Sequence, residues 1–141
     1  MSTEHLFAPV AIGSLTLPHR GIMPPMVVNL CDLDGSVTDR FIAYHVARAR
    51  GGVALNITEA AYVHHSGKGF VRQLGIEHDG QVPGLRRLTD AVHAVGGLIA
   101  VQLFHGGRQA SPELTGGVVA PSPIPSETSR SANTPETATS T

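Results

Sequence analysis

The sequence has no tryptophan, a single cysteine and only 4% aromatic residues. A stacking platform for nucleic-acid bases needs several exposed rings, so such a platform is not expected here. Ten lysines and arginines face eleven aspartates and glutamates, for a net charge of −1. That balance offers no basic surface for a phosphate backbone or an anionic membrane. Cys31 stands alone, so no intrachain disulfide can form, and a cytoplasmic setting is the expectation. The thiol reads as a small apolar filler rather than a reactive group. No apolar run reaches the roughly 20 residues that cross a bilayer. The start, Met1-Ser2-Thr3-Glu4-His5, lacks the basic-then-apolar order of a signal peptide.

What the chain does have is glycine (16), proline (10) and 41% hydrophobic residues in 141 positions. The apolar runs are short, and turn residues separate them. Leu6 to Leu17 reads as a hairpin, with Gly13-Ser14 between Val10-Ala11-Ile12 and Leu15-Thr16-Leu17. Glycine first in a two-residue turn suits type II′. A short strand, Gly21-Ile22-Met23, is then stopped by Pro24-Pro25, which remove two backbone donors. Thr38 predicts a helix N-cap, followed by an apolar face of Phe41, Ile42, His45, Val46 and Ala49 and by Gly51-Gly52. Val53-Ala54-Leu55-Asn56-Ile57 predicts a second strand, with Thr58-Glu59-Ala60 at its C-terminal end. Asp79 is the expected cap of a second helix, whose stripe is Leu85, Leu88, Ala91, Val92 and Val95. A third strand starts at Leu98 and reads as buried on both faces.

Alternating strands and helices with short connections predict an α/β fold built on a parallel sheet with right-handed crossovers. Residues 1–120 form the structured segment in this reading. From Pro121 to Thr141, 14 of 21 residues are proline, serine or threonine, which predicts a loop or disordered tail. Three strands leave one edge open. Either a longer parent chain or a second chain is expected to cover it, possible homo-oligomers included.

Several motifs fail on inspection. His105-Gly106-Gly107 resembles an esterase oxyanion loop, but no G-x-S-x-G accompanies it. Gly67-Lys68-Gly69 begins like a dinucleotide fingerprint, but Arg72 stands where the third glycine belongs. None of the eight histidines has the spacing of a metal-binding helix or finger, so no metal site is expected.

The chemistry-bearing residues gather at three strand ends: Ile22-Met23-Pro24-Pro25-Met26, Ile57-Thr58-Glu59-Ala60, and Val101-Gln102-Leu103-Phe104-His105-Gly106-Gly107-Arg108. Ligands of α/β folds bind where parallel strands run out. With the hairpin segment ahead of them and Val119-Ala120-Pro121-Ser122 behind, these stretches resemble the N-terminal part of the old yellow enzyme family. That family comprises FMN-dependent NAD(P)H:flavin oxidoreductases, among them ene-reductases and 2,4-dienoyl-CoA reductases. The resemblance implies the hairpin and first three strands of a (β/α)8 TIM barrel. It implies FMN as cofactor, NAD(P)H as reductant and a small-molecule acceptor. Residue by residue, it puts Pro25, Met26 and Val27 beside the flavin ring, Ala60 where the ring needs room, and Gln102 against the ring's amide-like edge. His105 and Arg108 become candidates for the substrate mouth. Val27 departs from the threonine or cysteine that many members have there. No catalytic residue is implied within this chain, because the family's substrate-polarising pair lies on a later strand. The alternative is a non-catalytic barrel fragment or interaction module.

Overall fold

The computed structural model describes residues 3–125 and 135–137. A short helix, α1 (Glu4–Phe7), precedes the antiparallel hairpin β1 (Val10–Ile12) and β2 (Leu15–Leu17). The segment Leu6-Phe7, read as the start of the hairpin, is helical instead. Gly13 takes φ +58°, the conformation that the first position of the expected turn requires. Three parallel strands follow, β3 (Ile22–Met23), β4 (Leu55–Tyr62) and β5 (Ile99–Phe104), hydrogen-bonded in that order. The helices α2 (Asp39–Arg50) and α3 (Val82–His93) make the two crossovers. Beyond β5 lie a four-residue helix, α4 (Pro112–Thr115), and a parallel pair, β6 (Val119–Ala120) with β7 (Glu136–Thr137). Part of the segment read as a tail therefore pairs with Val119–Ala120; its residues 126–134 and 138–141 lie outside the described residues.

The helices form where capping and periodicity favour them. Thr38 Oγ1 accepts the Phe41 N–H, satisfying one of the orphan donors of the first turn. The apolar faces of α2 and α3 then meet over one face of the sheet. Phe41, Ala49, Leu88 and Val92 are buried there with Ala61, Leu74 and Cys31. Burying a side chain such as Phe41 or Leu88 contributes roughly 1.5–3 kcal/mol. Asp79 does not cap α3. It belongs to a 3-10 turn, Asp79–Gln81, that His78 opens and that leads directly into the helix at Pro83. Proline is tolerated at a helix start because its missing N–H has no intrahelical acceptor there.

A second cluster closes the end where the strands begin. Leu17 of the hairpin is fully buried against Ala54 and Leu55, with Val10, Ile57 and Leu98 around it. His19 fixes the same end. Its Nδ1 accepts the Gly21 N–H, which leaves the proton on Nε2 to be donated to the Gly52 carbonyl oxygen, 2.8 Å away.

Two strands differ from expectation. β4 runs on to Tyr62, so Glu59 and Ala60 lie inside the strand rather than past it. β5 is not buried on both faces: Ala100 to Leu103 are exposed, with Leu103 66% exposed. The reason is positional, since no strand among the described residues pairs with its outer edge. None of the described helices is long and apolar enough to cross a membrane.

His45 occupies the α2–β4 contact, 1% exposed, with its ring edge-on to Phe41 and Tyr44. Neither its ring nitrogens nor the neighbouring Asn56 carboxamide reaches hydrogen-bonding geometry. Burial holds its pKa down at about 4; the nearby Asn56 opposes that shift and Arg48 adds to it. The folded-state pKa lies below the ordinary 6.5, so the unfolded chain takes up the proton first. Stability is therefore expected to be full above that value and to fall as pH drops towards 4, by on the order of 3 kcal/mol. Urea unfolding at neutral and acid pH measures the loss. His45→Gln, which cannot titrate, is expected to remove this part of the pH dependence, and an unchanged dependence would place its origin elsewhere.

Candidate functional site at the strand ends

Every residue singled out at the sheet's C-terminal ends hangs on β4, because β4 has a partner on each side. β3 pairs with its start, Ile22 opposite Leu55 and Met23 opposite Asn56. β5 pairs along its length, but the register slips. Ile57 faces Ala100 whereas Ala60 faces Gln102, so Thr58 and Glu59 together oppose Val101. One extra residue on one strand is a β-bulge, a device that re-aims side chains near sites. Its consequence is that Ala60 and Gln102 become direct neighbours across two strands.

The bulge aims Glu59 at the loop that follows β3. The Glu59 carboxylate is 1% exposed. One oxygen accepts the Val28 N–H at 2.6 Å and the other the Leu74 N–H at 2.8 Å. Burial raises its pKa, and the backbone donors, Val28, Leu74 and Asn29, pull the other way. Asn29 sits at φ +53°, a left-handed conformation that asparagine tolerates better than most side chains.

The rest of this loop is tied down by side chains at the end of β4 and in the segment after it. Lys68, 5% exposed, donates from Nζ to the Leu33 carbonyl oxygen, and burial lowers its pKa. Tyr62 Oη and Gln81 Nε2 both donate to the Asp34 carbonyl oxygen, at 2.7 and 2.9 Å. The Tyr62 hydroxyl comes so close that a Cβ on Gly35 would lie 2.5 Å from it, and Gly35 also has φ +81°. Cys31, from the same loop, is fully buried, and burial pushes its thiol pKa far up, which fits the filler reading. Gln73 completes the corner: Nε2 donates to the Ala60 carbonyl oxygen, and Oε1 accepts the N–H groups of Gly69 and Phe70.

Against this frame the predicted residues divide in two. Pro25 and Val27 are half-buried in the loop, and Met26 is 56% exposed. Ala60 is buried, and the exposed Gln102 carboxamide makes no hydrogen bond with any described residue. His105 is already engaged. Its Nδ1 accepts the Gly107 N–H and its Nε2 meets Ser66 Oγ at 3.1 Å, while Ser66 Oγ also meets His64 Nδ1 at 2.8 Å. The backbone donor on Nδ1 leaves the proton of neutral His105 on Nε2, so that ring donates to Ser66. A Cβ on Gly67 would come within 2.5 Å of the His105 ring, so glycine is what lets the two loops close. Arg108 reaches the Pro125 carbonyl oxygen at 3.5 Å and lines a cavity of roughly 490 Å³ with Gly106, Gly107, Ala120, Pro121 and Ser122. Pro25, Met26, Val27, Ala60, Gln102 and His105 do not line that cavity. Among the described residues no cluster of histidine, cysteine and carboxylates could hold a metal.

Sequence reasoning missed Glu59 as a positioned group. Its signal was a carboxylate in a strand buried almost throughout, which costs much unless buried donors meet it.

The sequence profile of the NADH:flavin oxidoreductase / NADH oxidase family matches residues 5–140. The chain belongs to that family. It is 46% identical over 124 residues to an NADH oxidase of Thermoanaerobacter brockii, covering 86% of this chain and 19% of the relative. It is 41% identical over 121 residues to an NADPH dehydrogenase of Listeria monocytogenes, covering 85% and 35%. Among solved structures, morphinone reductase superposes with a TM-score of 0.85 at 31% identity, covering 94% of this chain and 39% of that one. An old yellow enzyme homologue from Zymomonas mobilis gives 0.84 at 29% identity, covering 95% and 39%. The chain thus spans well under half the length of these relatives. Its α/β fold is the first part of their (β/α)8 barrel, hairpin and three strands included. FMN with NAD(P)H as reductant is the cofactor pair of this family.

Proposed function

We propose that this chain supplies the first part of the flavin site of an FMN-dependent NAD(P)H oxidoreductase of ene-reductase type, acting on a small-molecule acceptor in the cytoplasm. The observation that carries the reading is the register of Ala60 beside Gln102, with the Gln102 carboxamide unpartnered among the described residues. The chemistry that bound FMN would supply is hydride transfer from NAD(P)H to an activated C=C bond. The chain's own residues bind and orient. A carboxamide offers a donor and an acceptor side by side, which matches the N–H and C=O along one edge of the flavin ring. Ala60 has no side chain beyond Cβ to obstruct the ring next to that amide. Pro25 and Met26 bring loop backbone and an exposed thioether to the same strand ends. Arg108, beside its cavity, is the better placed of the two mouth candidates to meet an acceptor, since both ring nitrogens of His105 are spent on the protein. The open outer edge of β5 favours cover by further barrel strands or by a second chain.

Two substitutions in the full-length protein and one experiment on the isolated chain test this reading, and an absence of flavin absorbance near about 450 nm in the full-length protein would favour the non-catalytic fragment. Gln102→Leu leaves a buried flavin edge without partners, at about 1–3 kcal/mol for each unsatisfied group. FMN affinity is expected to fall roughly tenfold to several hundredfold, and an unchanged value would make Gln102 a plain strand-end residue. Val27→Thr adds a hydroxyl donor at little change in size. If it faces a flavin carbonyl, the reduced, more negative ring gains more than the oxidised one. A hydrogen bond of about 0.5–1.5 kcal/mol, more to a charged acceptor, raises the two-electron midpoint potential by a few tens of millivolts. A redox titration showing no rise would point the side chain elsewhere. The isolated 141-residue chain is expected to self-associate through β5, whereas a monomer in sedimentation that melts sharply would argue against an edge in need of cover.

A further inference from the structure

We infer that Glu59 is the positioning residue that fixes the distance between the loop after β3 and the Ala60–Gln102 pair, and so the seat of the flavin ring. The inference rests on the FMN reading above. Four observations converge on it. The bulge at Thr58–Glu59 turns this side chain towards the loop and sets Ala60 against Gln102 in the same step. The carboxylate is buried and neither of the ion pairs among the described residues includes it; its charge is met by backbone N–H groups instead. One of those groups is Val28, directly after Pro25, Met26 and Val27. The next residue, Asn29, has a left-handed backbone and contributes a further backbone donor towards the same carboxylate.

A buried acid with no cation is a costly way to fill space. Its two oxygens explain the choice, because each meets a backbone donor, the Leu74 N–H fully buried and the Val28 N–H partly so. The donors come from different segments, one from the loop after β3 and one from the segment after β4. A carboxylate spans them rigidly and symmetrically. Glutamine has the same length but a single acceptor, so its amide nitrogen would be pushed against an N–H. Aspartate keeps the charge but is one methylene too short to hold both contacts. Either change loosens the hold on the Val28 and Leu74 amides and lets the loop move relative to Ala60.

The test uses the full-length protein with FMN bound, and it reads FMN affinity, the visible flavin spectrum, the midpoint potential and the melting temperature. Glu59→Gln is expected to weaken FMN about tenfold to a hundredfold and to shift both spectrum and potential. Glu59→Asp is expected to move the same readouts in the same direction by less. Val92→Ala, a truncation in the distant core between α2 and α3, is the comparison: it should lower the melting temperature and leave spectrum and potential alone. Should neither Glu59 variant fold, hydrogen exchange of the unaltered protein decides. The Val28 and Leu74 amides should exchange more slowly with FMN bound, because coupling between clamp and ligand is reciprocal. Flavin affinity, spectrum and potential unchanged in the variants, or exchange at both amides indifferent to FMN, overturns the inference alone. A full-length protein that takes up no FMN overturns the flavin reading and this inference together.

Discussion

The pairing of β4 on both sides is the constraint on which the rest depends. β3 contributes only Ile22 and Met23 to the ladder, too few to hold a register by themselves. β5 is an edge. Only β4 fixes both neighbours, and its bulge sets the offset between the two halves of its own length. Below the bulge, Ile57 aligns with Ala100. Above it, Ala60, Ala61 and Tyr62 align with Gln102, Leu103 and Phe104. Without the extra residue, the register below the bulge would continue, Gln102 would face Glu59 instead of Ala60, and the strand-end residues would lose their alignment.

The same strand and the segment after it carry the polar anchors. Glu59, Tyr62, Lys68, Gln73 and Gln81 are all buried polar side chains, and each hydrogen-bonds backbone rather than another side chain. Desolvating five such groups is expensive unless each is matched. Matching them to the backbone of residues 28–34 and 60–74 makes the loop after β3 part of the framework, although it has no regular structure. A loop in that condition can present Pro25 and Met26 at fixed positions, which a surface loop held only by its ends cannot.

Much of this was legible in the sequence, and the gaps have physical causes. The helix from Asp39 announced itself through Thr38 and an apolar stripe, both local signals. The hairpin could be read from Gly13, although the helical turn at Glu4–Phe7 could not, since its contacts are to Arg20, distant in sequence. Asp79 resembled a cap because aspartate favours such positions; the 3-10 turn displaced the helix start to Val82, where Pro83 suits the first turn. The exposure of β5 was invisible because an apolar run records what the strand can bury, not what lies beside it. The bulge was invisible too, since it is a relation between two strands and no single strand encodes it.

At the strand ends, hydrogen-bond saturation separates framework from interface. His105, Glu59, Gln73 and Lys68 have all found partners within the chain. A group in that state can support a ligand only by holding something else still, because recruiting it directly would break an existing bond. Gln102 is in the opposite state: exposed, unpartnered among the described residues and set next to the smallest chiral side chain, Ala60. The two states follow from register. Residues drawn towards the segment after β4 meet abundant backbone donors and acceptors, whereas Gln102 is exposed on a strand whose outer edge has no partner among the described residues. The flavin site proposed above uses one such uncommitted carboxamide beside one small residue. In this chain the bulge in β4 brings those two together.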